Sequence, residues 1–145
     1  MENSITKTIR EIASHLNCGE NCYYNSNTNK LITIPQFVED YEDEELMEPF
    51  QDEIKKVKNN KADYMKISVL ESFESFKIME KFIDEISEQN FKNRLTEILE
   101  RKKPFRNFKD EVENSEYREA WFEFKKKETE KIVENILKNV ENGNY

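Results

Sequence analysis

The chain has 145 residues, of which 36% are hydrophobic, 37% are charged and 12% are aromatic, with a formal net charge of −8. This length predicts one domain, residues 1–145, while the aromatic content excludes global disorder and two Cys are too few for a disulfide framework. The amino terminus lacks a signal-peptide pattern and no stretch approaches the roughly 20 apolar residues of a membrane span, so we expect a cytoplasmic protein without a membrane partner.

The first half of the chain predicts a helix followed by a small antiparallel sheet. Apolar residues recur at helical spacing from Ile5 to Leu16, and Gly19 is suited to end that helix. Two short strands follow as a hairpin over about residues 22–34, joined by an Asn-rich turn. Period-two alternation of apolar residues predicts a third strand over residues 64–69.

The acidity of the chain is concentrated in one stretch, residues 36–53, which we call the acidic segment. Between Leu31 and Ile54 there are nine Asp or Glu residues and no Lys or Arg. Removing those nine from the 31 acids leaves 22, against 23 basic residues elsewhere. Apolar residues within the segment predict that it is attached to the core, either as helix or in extended form, and Pro49 suits the start of a short helix.

The second half predicts successive helices, and therefore an α+β fold with a mainly helical carboxy-terminal half. The helices run from Glu71 or Ser72 to Ile86, from a cap at Ser87 to about Arg101, from Pro104 onward, and over about residues 116–140. Burial of one large apolar side chain contributes roughly 1.5–3 kcal/mol, so the aromatic residues of these helices predict the core. That core is centred on Phe73, Phe76, Phe105, Phe108 and Trp121.

One polar stretch stands out, the basic segment of residues 101–109. It holds five cations and no acid, namely Arg101, Lys102, Lys103, Arg106 and Lys109. Cations set among aromatic residues are typical of proteins that hold single-stranded nucleic acid. The alternative interpretation is a helix end that favours cations, followed by a solvated helix face with its phenylalanines in the core.

Other candidate residues point less clearly to chemistry. His15, Cys18 and Cys22 are the only soft metal ligands, which is too few for a structural zinc site. Glu71 and Glu74 lie three apart on a predicted helix, a spacing that suits acid–base catalysis or a hard cation but also suits helix capping. We therefore predict no catalytic residue, no metal site and no cofactor.

Several blocks of the sequence together resemble a known family. They are LESFESFKIM from Leu70, RKKPFRNFKD from Arg101 and YREAW from Tyr117, preceded by CYYN from Cys22 and ITIP from Ile32. This combination is similar to that of a bacterial uncharacterised protein family, one of the UPF groups, over nearly the whole chain. The family has no established activity, so the resemblance implies no catalytic or binding residues.

The sequence thus predicts a non-enzymatic binding protein that uses the basic segment to contact a protein or a nucleic acid. In one version, the acidic segment docks on the basic segment until a partner competes for it. Two alternatives stay open: a cation-dependent hydrolase that uses Glu71 and Glu74, and a structural subunit of a homodimer. The sequence predicts neither a substrate nor a small-molecule ligand.

Overall fold

The structure is a computed structural model that describes residues 4–41 and 43–141, so Glu42 of the acidic segment lies outside the described residues. The predicted α+β class is confirmed. Within the described ranges, no helix is long and apolar enough to cross a membrane. The helices are α1 Ser4–Asn17, α2 Gln36–Tyr41, α3 Glu44–Met47, a 3₁₀ turn Glu48–Phe50, α4 Gln51–Asn59, α5 Ser72–Glu85, α6 Gln89–Glu100, α7 Pro104–Glu113 and α8 Arg118–Glu141, and the strands are β1 Glu20–Asn25, β2 Lys30–Pro35 and β3 Met65–Ile67.

The three strands form one antiparallel sheet in the order β2-β1-β3, which contains the predicted hairpin and third strand. Asn25 shapes the hairpin turn, because its Oδ1 accepts hydrogen bonds from the backbone N–H of Asn27 at 3.0 Å and of Thr28 at 3.2 Å. The third strand is shorter than predicted, three residues instead of the range 64–69. The hairpin is therefore the main element of the sheet.

The chain divides into two compact units. The first unit contains the residues up to Val69 together with those from Thr129 onward, and the second unit is Leu70–Glu128. Helix α8 starts in the second unit and its last part belongs to the first. That the whole chain behaves as a single domain stays a prediction.

In the first unit, both faces of the sheet are covered by helices. Alternate residues of β1 point to opposite faces, so Cys22 and Tyr24 lie on one side and Tyr23 on the other. On the first side they pack against buried residues of α1, β3 and α8, which are Ile12, Ala13, Leu16, Ile67, Val133 and Leu137. On the second side Tyr23 packs with buried residues of β2, α2 and α4, which are Ile32, Ile34, Val38 and Ile54.

The second unit has an aromatic core around Trp121, which is 6% exposed. The ring centroid of Trp121 lies 5.2 Å from that of Phe82 and 5.0 Å from that of Phe108. The rings of Phe91 and Tyr117 stack with centroids 5.0 Å apart. Burial of Phe108 and Trp121 agrees with the core predicted from the sequence.

Two residues predicted to lie in that core are on the surface. Phe73 is 59% exposed and Phe105 is 41% exposed. Both are in the first turn of their helices, and helical spacing indicates which face of a helix is apolar without indicating how far along the helix the core extends. Phe76, one turn after Phe73, is partly buried and contacts the ring of Phe105 edge-on, with centroids 6.4 Å apart.

The acidic segment is mostly helical rather than extended. It forms α2, α3, the 3₁₀ turn that contains Pro49, and the start of α4. Asp43 caps α3, since its Oδ1 accepts a hydrogen bond from the backbone N–H of Glu45 at 2.8 Å. Further along the chain, the cap predicted at Ser87 is wrong by one residue, because Glu88 is the N-cap of α6. Gly143, which the sequence places beyond the last helix, lies outside the described residues.

Candidate functional site

The basic segment forms the connection between α6 and α7 and the first turns of α7. Helix α6 ends at Glu100, and Arg101 follows as its C-cap in extended conformation. Lys103 has a φ of 54°, in the left-handed region that non-glycine residues seldom adopt. Pro104 then occupies the start of α7, where its missing N–H and fixed φ are tolerated.

All five cations of the basic segment are exposed, as predicted for either interpretation. The charged nitrogen atoms of four of them have no carboxylate within 4 Å among the described residues. Arg101, the fifth, forms an ion pair, with a guanidinium nitrogen 3.5 Å from Glu97 Oε2. Both of those side chains are largely exposed, and exposed pairs one helical turn apart contribute little to stability. The pair therefore leaves Arg101 able to exchange Glu97 for another anion.

Aromatic rings accompany these cations at the surface of the second unit. Phe105 lies within the basic segment, and its ring is inclined at 73° to the ring of Phe76 of α5. Phe73 lies one turn earlier on α5, with the Nζ of Lys77 5.9 Å from its ring centroid. Helical periodicity did not predict that Phe73 and Phe105 are exposed. The signal in the sequence that could have indicated it is the position of each residue in the first turn of its predicted helix.

A groove with both signs of charge runs between α6 and α7. It has a volume of about 470 Å³, and Arg94, Arg101, Asn107 and Asp110 are among its lining residues. Arg94 forms an ion pair with Glu111 across it. This groove is adjacent to the basic segment, and its mixed charge gives it no evident preference for one sign of ligand.

The residues considered for metal or acid–base chemistry have local structural partners. His15 Nδ1 lies 2.9 Å from Glu20 Oε1, and no cluster of three or more His, Cys, Asp or Glu residues suited to a metal occurs in the part of the chain that the structure describes. The backbone N–H of Glu71 donates to Oε1 of Glu74 at 3.2 Å, the hydrogen bond of a helix capping box. The first turn of α5 thus accounts for both of these carboxylates.

The two cysteines differ in environment. Cys18 is exposed, and Cys22 is fully buried between α1 and the sheet. Burial, and to a smaller extent the charge of Glu20, raises the pKa of the Cys22 thiol to about 12. A thiol with this pKa is protonated at neutral pH and is a poor nucleophile or metal ligand.

The first unit contains an open pocket of about 730 Å³ that sequence reasoning missed. Tyr23 of β1 is one of its lining residues, and the Tyr23 hydroxyl donates to Glu39 Oε2 at 2.6 Å. Glu39 also accepts from Asn21 Nδ2 at 3.1 Å and from Lys66 Nζ at 3.5 Å. Burial, followed by the hydrogen bond and the charge of Glu39, raises the pKa of Tyr23.

This pocket draws its residues from segments that are far apart in the sequence. They come from β1, β2, α2, α3, α4 and the approach to β3, with Lys58, Lys61 and Lys66 among them. A periodic pattern is local, so it cannot show that these segments meet. The register Tyr23↔Lys66 between β1 and β3 is the contact that brings the two ends of this surface together.

This architecture defines the class as a small α+β protein. Its first unit has a three-stranded antiparallel sheet with helices on both faces, and its second unit is all-helical. The chain matches the model of the Uncharacterised protein family (UPF0158) over residues 9–143, and it belongs to that family. No curated protein and no solved structure matches the chain. The family match spans both compact units and confirms the resemblance to a UPF group.

Proposed function

We propose that this protein binds single-stranded nucleic acid through the basic segment, without catalysing a reaction. The observation that supports the proposal most is the 41% exposure of Phe105 within a run of five exposed cations. The alternative interpretation places both Phe105 and Phe108 in the core, behind a solvated face. Exposure of Phe105 removes that argument for one of the two rings, whereas Phe108 is fully buried and belongs to the core.

The chemistry of such a site combines phosphate neutralisation with stacking. Each Lys or Arg that contacts a phosphate releases counterions from the nucleic acid, which favours binding at low salt. A base that stacks on an exposed aromatic ring contributes about 1–3 kcal/mol. Phe105 supplies such a ring next to Arg106, and Lys109 follows one helical turn later on α7.

The net charge of −8 is compatible with this proposal because the acids are unevenly distributed. The acidic segment belongs to the first unit and the basic segment to the second. Within about 10 Å, the screening length at 0.1 M salt, local charges dominate over the net charge of the chain. The basic segment itself has a charge of five and contains no acid.

A fluorescence-anisotropy titration of the protein into labelled single- and double-stranded oligonucleotides at several salt concentrations tests the proposal. Five cations predict a log–log salt slope no steeper than about −3.5 for single strands, using ~0.7 per phosphate contact. The double variant Arg106→Glu/Lys109→Glu should abolish binding. The matched control is Lys55→Glu/Lys56→Glu, which makes the same change in net charge at exposed positions of α4.

Absence of binding at low salt would refute the nucleic-acid proposal, and an acidic protein surface would become the preferred partner. Equal loss in both double variants would refute the assignment to the basic segment, because it would show only an effect of net charge. Calorimetry with Mg²⁺ or Mn²⁺ addresses the hydrolase alternative. A stoichiometric site that disappears in Glu74→Gln would favour that alternative over a binding protein.

The masking version of the proposal has a separate test. Glu39 already accepts three hydrogen bonds within the first unit, so it is a poor choice for docking on the basic segment. Neutralising exposed acids of the acidic segment, with Asp40→Asn, Glu45→Gln and Glu48→Gln, should raise the affinity for nucleic acid if they mask the site. An unchanged affinity would refute masking and leave the binding proposal in place.

A further inference from the structure

We propose that the pocket of the first unit binds a small organic anion with an apolar body, such as a medium-chain carboxylate. This site is separate from the basic segment and does not depend on the proposed nucleic-acid binding. The pocket has a volume of about 730 Å³, within the range of about 300–1,000 Å³ that is usual for small-molecule sites.

The base of the pocket is apolar. Ile34, Val38 and Ile54 line it and are buried, at 2%, 0% and 9% exposure. Met47 and Val57 extend this apolar surface and are only partly buried. An apolar group placed here would bury further apolar surface of the protein, and the free energy gained is roughly proportional to the area removed from water.

The polar groups of the pocket favour an anion over a cation. Lys58, at the end of α4, and Lys61, in the turn that follows, are exposed and have no carboxylate within 4 Å among the described residues. Lys66 adds a third ammonium group. Among the residues that the structure describes, acids line the pocket at Glu39 and Glu44.

Glu39 offsets one of these cations, because its Oε2 lies 3.5 Å from Lys66 Nζ, and no ion pair joins it to Lys58 or Lys61. Its oxygens accept hydrogen bonds from Asn21, Tyr23 and Lys66, so its charge is already satisfied by protein donors. The same contacts hold the Tyr23 hydroxyl as a donor to Glu39, and the raised pKa of Tyr23 keeps the phenol neutral at physiological pH. Lys58 and Lys61 are thus the groups available for the head group of a ligand.

The placement of the ligand follows from this arrangement. A carboxylate at Lys58 would place its alkyl chain toward Ile54, because Ile54 lies four residues earlier on α4 and therefore on the same helix face, and Val57 lines the pocket beside them. A ligand without an apolar chain would lack the larger part of the contact. A ligand with a cationic head would meet the ammonium groups of Lys58 and Lys61, with Glu44 as the described acid of the lining that is not paired with Lys66.

Isothermal titration calorimetry with decanoate, decyltrimethylammonium and butyrate, below micelle-forming concentrations, tests the proposal. Two temperatures are used, because burial of apolar surface changes the heat capacity and binding cannot be without heat at both. We expect saturable binding of decanoate at one site per chain. Binding of decyltrimethylammonium or butyrate should be at least about tenfold weaker, since each lacks one of the two kinds of contact.

Variants locate the site. Lys58→Glu/Lys61→Glu should weaken decanoate binding by at least about tenfold, as expected for loss of charge-assisted contacts. Lys55→Glu/Lys56→Glu reverses the same number of charges at positions of α4 that lie outside the pocket, and it should leave binding unchanged. Val57→Trp should block the pocket while it keeps every lysine, with circular dichroism to verify folding.

Absence of saturable decanoate binding at both temperatures would overturn the proposal. So would equal binding of decanoate and decyltrimethylammonium, or an equal effect of the two lysine double variants. If Val57→Trp does not fold, the lysine variants still decide the outcome. Because both pairs of lysines are exposed on the first unit, they are suited to substitution without loss of structure.

Discussion

Replacement of Phe108 by Ala is the most direct test of how α7 is oriented in the second unit. Phe108 is fully buried and its ring lies edge-on to Trp121, with centroids 5.0 Å apart. Removing a buried Phe side chain costs about 3–5 kcal/mol of the free energy of unfolding, which includes the lost transfer energy and the cavity that remains. Phe105, three residues earlier on the same helix, provides the matched control because it is 41% exposed.

For Phe105→Ala we expect a smaller loss of roughly 1–2 kcal/mol, since Phe105 buries only a little over half of its surface and transfer energy scales with buried area. Urea unfolding followed by far-ultraviolet circular dichroism gives both values, and the slope of free energy against urea should not change. Equal losses in the two variants, or a larger loss for Phe105→Ala, would refute the inward orientation of Phe108. Either result would also mean that Phe105 is not the exposed ring on which the proposed function depends.

Four further predictions use features at other positions. In the folded protein only the thiol of Cys18 should react rapidly with a disulfide reagent at pH 8, whereas in urea the thiols of Cys18 and Cys22 should both react. Rapid reaction of both thiols in the native state would contradict the burial of Cys22. The pKa of the Cys22 thiol is raised from 9.0 to about 12 in the folded state, so unfolding releases a proton above pH 9. The free energy of unfolding should therefore decrease as pH rises from about 9 toward 12. A free energy of unfolding that stays constant over this window in urea titrations would contradict the raised pKa. Lys103→Gly should raise the free energy of unfolding by about 0.5–1 kcal/mol, because Gly adopts a positive φ without the penalty of about 1–2 kcal/mol that other residues incur. The same substitution removes one cation and should make the nucleic-acid salt slope shallower by ~0.7. A lower free energy of unfolding in a urea titration would argue against the left-handed geometry of Lys103. If the chain is a single domain, it should unfold in one transition. Circular dichroism reports the whole chain and the fluorescence of its one tryptophan reports the second unit, so the two signals should change together. Two separated transitions would mean that the units are independent domains.

Local patterns account for what the sequence predicted well. Apolar spacing in α1 predicted burial of Ile12 and Leu16, and both are buried. The Asn-rich turn predicted the hairpin because Asn side chains hydrogen-bond to nearby backbone, as Asn25 does here. Each of these predictions depends on residues that lie within about one turn of one another in the chain.

Features that depend on distant residues could not be predicted in the same way. Phe105 and Phe108 have the same apolar character and lie three residues apart, and their contacts with other helices determine which ring is buried. The pocket of the first unit joins Tyr23, Glu39 and Lys66, which are separated by up to 43 positions in a chain of 145 residues. A single sequence carries no direct signal for such pairs, so the site appeared only in three dimensions.

Division of the first unit between the two ends of the chain has a consequence for biosynthesis. Val133 and Leu137 of α8 are 0% and 6% exposed in a core that also contains Ile12 and Tyr24. As the ribosome makes the chain from its amino terminus, the sheet and α1 emerge first but lack these two residues. The second unit, Leu70–Glu128, has all its residues before the first unit does.

The order of completion is therefore the reverse of the order of appearance. Until α8 has been made, the face of the sheet that carries Cys22 and Tyr24 remains without part of its apolar cover. Exposed apolar sheet surface in a nascent chain is prone to aggregation and is the kind of surface that chaperones bind. Newly made copies of this protein thus pass through a stage in which this face of the sheet is partly uncovered, and that stage ends when α8 packs against it.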